Sequence, residues 1–248
     1  MLLKNKVALI TGAASGIGEA TARLFIAEGA KVLLADVNQQ LGQALAIELG
    51  DDAAFIACDV SDESQVVAMI AEAVTRFGRL DCAVNNAGVT GAPCSLENMS
   101  LESWRQVIDI NLSGVFLCLK HEITQMLQQG EGAIVNVASG AGLIGVPNMA
   151  GYCASKHGVL GLTKTAATEN VRKGIRVNAV LPGSIRTPML EETLALGEEV
   201  EKMILRSIPS GQFGKPEQIA ESIAWLCSDR ASYVSGESMT VDYATVCR

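Results

Sequence analysis

The stretch that decides the fold is KVALITGAASGIG, running from Lys6 to Gly18. Lys6–Thr11 (KVALIT) is apolar at successive rather than alternating positions, the mark of a strand buried on both faces. Gly12, Gly16 and Gly18 follow at once. Gly16–Glu28 then repeats apolar residues at helical spacing, with Ile17, Ala20, Leu24 and Phe25 on one face. A buried strand feeding a helix through a glycine turn opens a parallel β–α unit. Glycines at such a turn let backbone N–H groups approach an anion, and the positive helix N-terminus favours the same anion. The spacing G-x3-G-x-G differs from the general dinucleotide fingerprint. The loop alone is therefore also compatible with a tight turn that binds nothing.

Outward from this stretch the same alternation continues. Strands are expected at Lys31–Asp36, Ala53–Ala57, Asp81–Val84, Ala133–Ala138, Ile175–Leu181 and Ser238–Asp242. Helices are expected at Gln39–Leu49, Glu63–Phe77, Leu101–Leu127 with Ser100 as N-cap, Tyr152–Arg172, and Pro216–Cys227 with proline in its first turn. No repeat or linker interrupts the series, so residues 1–248 read as one domain. Regular β–α alternation gives an α/β fold: a doubly wound, seven-stranded, mostly parallel sheet with helices on both faces. Its ligand belongs at the carboxyl ends of the strands, where strand order reverses.

Composition narrows the classes. The chain has 248 residues, 49% of them apolar, with 19 basic and 27 acidic residues and a net charge of −8. That is too apolar for a disordered acidic chain and too acidic for a nucleic-acid partner. Only 2 histidines are present, which leaves little for a metal site, and none is expected. His121 and His157 read as helix-surface residues. The 7 cysteines form no CxxC pair and read as small buried residues in a reducing compartment. With no leader pattern and no membrane-length apolar run, a cytoplasmic location away from the membrane is expected.

Two clusters carry chemistry. Asp36 ends the second strand, 18 residues past Gly18. A carboxylate there can accept both hydroxyls of an adenine ribose and repel a 2′-phosphate. Its neighbours Val37 and Asn38 and the loop residue Ser15 are not basic, so the geometry predicts NAD rather than NADP. Asp59, after the third strand, is placed to meet the adenine amino group. The second cluster is Tyr152-Cys153-Ala154-Ser155-Lys156. Residues i and i+4 share a helix face, and an ammonium beside a phenol favours the phenolate. Tyr152 would then be the general acid/base of alcohol–ketone interconversion. Ser139 ends the fifth strand at the same sheet edge, where its hydroxyl can polarise a carbonyl or merely cap a turn.

With TGAASGIG (11–18), Asp36, Cys58-Asp59-Val60, Asn85-Asn86-Ala87-Gly88, Asn111, Ser139, YCASK (152–156) and Leu181-Pro182-Gly183 in this order, the chain resembles the short-chain dehydrogenase/reductase family over its whole length. The resemblance implies a Rossmann-like fold. It implies Tyr152 as acid/base, Lys156 on the nicotinamide ribose, Ser139 orienting the reacting oxygen, and Asn111 holding a relay water. It implies cofactor contacts from Gly12, Ser15, Gly16, Ile17, Gly18, Asp36, Val37, Asp59, Val60, Asn86, Ala87, Gly88, Tyr152, Lys156, Pro182, Gly183, Ile185 and Thr187. It also implies a homotetramer built on the two long helices, with a dimer as the smaller alternative. One departure stands out: where the family often has Asp-Gly-Gly, this chain has Asp242-Tyr243-Ala244.

Between Gly183 and Pro216 apolar and acidic residues interleave, which reads as one or two short amphipathic helices forming a substrate lid around 184–212, or as helices that simply pack on the domain. Gly140, Ala141, Met149, Met189 and Leu190 are expected to wall a mostly apolar substrate pocket. The expected function is NAD(H)-dependent interconversion of a small or medium alicyclic or aliphatic secondary alcohol and its ketone. The alternatives are a reductase of 3-oxoacyl groups on acyl carrier protein, and a dinucleotide-binding sensor without turnover.

Overall fold

A computed structural model describes residues 1–247. The strands are β1 Val7–Thr11, β2 Lys31–Asp36, β3 Ala53–Ala57, β4 Cys82–Asn85, β5 Gly132–Val137, β6 Ile175–Pro182 and β7 Ser238–Val241. They form one sheet in the order β3-β2-β1-β4-β5-β6-β7. Every neighbouring pair is parallel, so the sheet is parallel throughout rather than mostly so. The helices are α1 Gly16–Ala27, α2 Gln39–Leu49, α3 Glu63–Phe77, α4 Leu101–Ile108, α5 Gly114–Gln129, α6 Ala150–Asn170, α7 Pro188–Leu194, α8 Glu198–Ser207 and α9 Pro216–Cys227.

Successive strand residues feed opposite cores. Ala8 and Ile10 pack with Phe25 of α1 and Ile219 and Ile223 of α9, while Leu9 packs with Met69 of α3, Val115 of α5 and Val159 of α6. All five residues of β1 are buried, which is why the strand is apolar without alternation. Strand order reverses between β1 and β4, so the turns after Thr11 and Asn85 face a common crevice.

The expected long helix is interrupted. Ser100 caps it as anticipated, accepting from Ser103 N, but Asp109–Ser113 is a turn of π-helix between α4 and α5. The extra residue per turn sets Asn111 into the interior, at 0% exposure. The 184–212 segment does hold two short helices, α7 and α8, and neither has a buried residue. Of the seven cysteines, Cys94 is only half-buried and Cys247 is exposed; the other five are buried and all seven are free.

After β7 the chain turns through Tyr243 (φ 51°) and Ala244 (φ 65°), both in the left-handed region that glycine occupies without strain. These are the two positions where the family often has glycine. An L-residue there costs about 1 kcal/mol, partly offset by the lower unfolded-state entropy of alanine. Ala244 is exposed. Ala244→Gly is therefore expected to stabilise the fold by about 0.5 kcal/mol, read as a Tm rise of about 1–2 °C. A fall in Tm would show that the turn carries no strain.

Candidate active site

The crevice beyond β1, β2 and β4 is a groove of about 490 Å3. Gly12, Ser15, Gly16 and Ile17 form one wall; Asp36, Val37, Asp59 and Val60 form one end; Asn86, Ala87, Gly88 and Val89 form the floor; Thr187 and Met189 lie at the far end. The glycines make this cradle possible. Gly12 and Gly16 have φ of +61° and +57°. A Cβ on Gly12 would stand 2.8 Å from Ala87 Cα, and one on Gly18 would stand 2.1 Å from Gly12 O. Gly18 thus packs the loop onto α1 and does not face the groove. The N-terminus of α1 points into the cradle, and its N-cap Ser15 spends no side-chain bond on the helix.

The loop is locked to the floor. Asn86 Nδ2 donates to Thr11 O (3.0 Å) and Gly12 O (2.9 Å), while Thr11 Oγ1 accepts from Asn86 N (3.0 Å) and Ala87 N (3.2 Å). The Asn86 amide therefore holds the loop. Sequence alone gives Thr11 no role of its own, because it reads as an ordinary strand end. At the rim, Asp36 accepts from Ala14 N (3.0 Å) and Asn38 N (2.8 Å), one bond to each carboxylate oxygen. Among the described residues no lysine or arginine lines the groove.

Asn111 is tied to the groove floor. Its Oδ1 accepts from Val89 N and its Nδ2 donates to Val89 O, each at 2.8 Å, and Nδ2 also reaches Ser155 Oγ at 3.3 Å. The amide thus donates and accepts at once, both with the Val89 backbone of the groove floor. Nearby, Lys156 is 4% exposed and its Nζ donates to Val137 O at 2.8 Å. A Cβ on Gly88 would stand 3.2 Å from Asn111 Oδ1 and 3.6 Å from Lys156 Nζ. Gly88 is thus the point where the groove meets the lysine.

Tyr152 lies on α6 with Lys156 Nζ 5.6 Å from its ring centroid. Ser139 Oγ caps the following turn by accepting from Ala141 N (3.1 Å), and it lies close enough to the Tyr152 phenol to favour its ionised form. The cap leaves the Ser139 hydroxyl on the Tyr152 side of the sheet edge. Burial pushes the Tyr152 phenol above its ordinary value, with Ser139 pulling the other way. Burial lowers the Lys156 ammonium to about 8. Burial thus works against the charged form of both groups. In the chain without cofactor, only the Ser139 hydroxyl offsets that burial at the phenol.

Other predicted residues flank the groove rather than line it. Gly183 and Ile185 line a separate cavity of about 210 Å3 with Asp242 and Tyr243, and Pro182 lines neither space. Gly140 and Ala141 are buried, Met149 is the N-cap of α6, Leu190 donates its N–H to Thr187 Oγ1 at 3.4 Å, and Met189 lines the groove. His121 pairs with Glu63 (2.8 Å) and His157 with Cys153 O (2.9 Å), away from this chemistry. Among the described residues no three His, Cys, Asp or Glu side chains form a metal site, and no helix is long and apolar enough to cross a membrane.

The family model described as enoyl-(acyl carrier protein) reductase matches residues 12–243. Cyclohexanol dehydrogenase of Acinetobacter sp. is 47% identical over 243 residues, covering 97% of this chain and 94% of that protein. A crystal structure of levodione reductase superposes with a TM-score of 0.96 at 38% identity, covering 99% of each chain. A crystal structure of 3-ketoacyl-(acyl-carrier-protein) reductase from Brucella melitensis, complexed with NADH, gives a TM-score of 0.93 at 37% identity over 98% of this chain and 99% of that one. Groove, serine beside tyrosine, and full-length likeness converge: the chain belongs to the short-chain dehydrogenase/reductase family of oxidoreductases.

Proposed function

We propose that this protein is an NAD(H)-dependent oxidoreductase that interconverts a secondary alcohol and a ketone on a small or medium alicyclic substrate. The observation that carries the reading is Tyr152 beside Lys156 on one face of α6, with Lys156 next to Gly88 at the edge of the groove. The glycine cradle fits a dinucleotide: side chains on Gly12 or Gly18 would collide with the loop, and the α1 N-terminus suits a pyrophosphate. Asp36 is pinned by two backbone N–H groups with lone pairs left for ribose hydroxyls, and Val37, 72% exposed, offers an apolar face for adenine. Among the described residues that line the groove, a 2′-phosphate would meet Asp36 and no cation.

When bound, the nicotinamide supplies or accepts the hydride. In ketone reduction Tyr152 donates its proton to the substrate oxygen and the Ser139 hydroxyl holds that oxygen in place. Lys156, held by Val137 O, stands within reach of the ribose beside Gly88. In alcohol oxidation Tyr152 must first lose its proton, a loss that burial opposes and Ser139 favours. Exposed α7 and α8 form the lid of this reading, free to close over substrate. The alicyclic substrate class is supported by the cyclohexanol dehydrogenase and levodione reductase relatives.

The test follows absorbance of reduced nicotinamide with NAD or NADP and a panel of cyclic and linear secondary alcohols. Preference for NAD by at least about tenfold is expected, narrowed by Asp36→Ala, which removes the charge repelling a 2′-phosphate. Preference for NADP in the unmodified protein would sink the reading of Asp36. The second reading, 3-oxoacyl reduction on acyl carrier protein, is favoured by the Brucella structure. That structure holds NADH, so cofactor choice does not separate the two readings; turnover of 3-oxoacyl thioesters against cyclic ketones does. No turnover of either would leave the sensor.

A further inference from the structure

Asp242 folds the chain end back on itself. Gly183 N donates to Val241 O at 3.1 Å, and a Cβ on Gly183 would stand 2.9 Å from both Cα and Cβ of Asp242. The end of β7 is thus pressed against the turn that leaves β6. From there Asp242 O accepts from Thr245 N at 3.2 Å, and Asp242 Oδ2 accepts from Val246 N at 2.9 Å. Tyr243 and Ala244 take left-handed conformations to close this turn. A carboxylate and two strained residues hold the chain end in one place.

What the turn delivers is Val246. Its Cγ1 lies 2.8 Å from where a Cβ on Gly140 would stand. Gly140 directly follows Ser139, whose hydroxyl lies close to the Tyr152 phenol. Gly140 has no side chain of its own, so the methyl group filling the space beside the Ser139 backbone comes from the chain end. Val246 is half-buried and is not a lining residue of the dinucleotide groove.

We infer that Val246, held by Asp242, is a specificity-determining residue that forms the wall of the substrate space beside Ser139. This rests on the proposed alcohol–ketone chemistry and deepens it. The wall is a branched apolar group at fixed reach, so it sets an upper limit on ring substituents. One or two methylene groups of added room change discrimination by about tenfold or more.

The experiment compares kcat/KM for cyclohexanone with that for a cyclohexanone bearing a tert-butyl group, using NADH and the full chain. Val246→Ala is expected to raise the ratio of bulky to plain substrate about tenfold, and Val246→Phe to lower it by a similar factor. NADH affinity, measured by fluorescence titration, is expected to stay within about twofold in both. Equal loss on both substrates, with the ratio unmoved, would overturn the wall and leave the chain end a structural strap. A wild-type protein that reduces neither ketone would overturn the underlying reaction class as well, a result distinct from an unmoved ratio.

Discussion

Tyr152→Phe is expected to lower kcat/KM for a cyclic ketone by about 10^3-fold, within the range ascribed to a positioned general acid. The substitution removes one oxygen from a side chain that packs within α6 and leaves the ring facing Lys156. Binding of NADH is expected to change little, because the groove is built from the glycine loop, Asp36 and the Asn86 segment rather than from the phenol. The combination is what matters: loss in kcat with retained cofactor affinity assigns the proton transfer to this oxygen. A Tyr152→Phe protein with full activity would remove the phenol from the chemistry, and one that lost NADH binding would make it a cofactor contact rather than the proton donor.

The second large effect concerns stability. Glu122 sits on α5 at 0% exposure, with Asn85 Nδ2 donating to its Oε2 at 3.0 Å. Asn85 Nδ2 also donates to Asn136 Oδ1 (3.0 Å), and Asn136 Nδ2 donates to Thr163 Oγ1 (2.9 Å). Glu122 Oε1 and Asn85 Oδ1 have no partner among the described residues. Two unpaired acceptors call for a donor, and a proton on the carboxyl supplies one. Burial raises this carboxyl from 4.5 to about 7, with the Asn85 bond opposing. Between those values the folded chain keeps a proton that the unfolded chain has released. Nothing is lost below about pH 4.5; stability then falls as pH rises and the full cost, about 3 kcal/mol, is reached above pH 7. Glu122→Gln keeps the shape without the charge. Denaturant unfolding at pH 5 and pH 8 is expected to show a drop about 2–3 kcal/mol smaller in the variant than in the parent. Parallel pH dependence in the two proteins would mean that Glu122 is ionised without penalty.

The contrast between these residues shows what a linear reading captures. The strands were legible because each is buried on both faces and so is apolar at every position, as in Val7–Thr11. The glycine loop was legible because three glycines occupy fixed places between strand and helix. Glu122 was not: one acidic residue in an amphipathic helix reads as solvent-facing, and only the packing of β4, β5 and α6 turns it inward. Nor was the π-turn at Asp109–Ser113, since an extra residue in a helix leaves the apolar pattern nearly intact. Asn111 was found through resemblance, but its bonds to Val89 depend on a contact 22 residues away. The sheet-edge placement of Gly183 and Gly140 was legible; the arrival of Val246 beside Gly140 was not, because nothing local marks a chain end as a wall.

The parallel sheet has a consequence for how the chain reaches this state. Parallel neighbours cannot be joined by a hairpin, and here the central pairing sets Ala8 against Cys82 and Leu9 against Ala83. The two halves of the crevice meet only after about seventy intervening residues have been drawn together, and β6 finds β7 across a comparable span. Contacts so distant along the chain form late and leave open strand edges exposed while they form. For a sheet of this topology, damage to β1 or β4 is felt first in the race between folding and aggregation, before any folded molecule exists to be assayed.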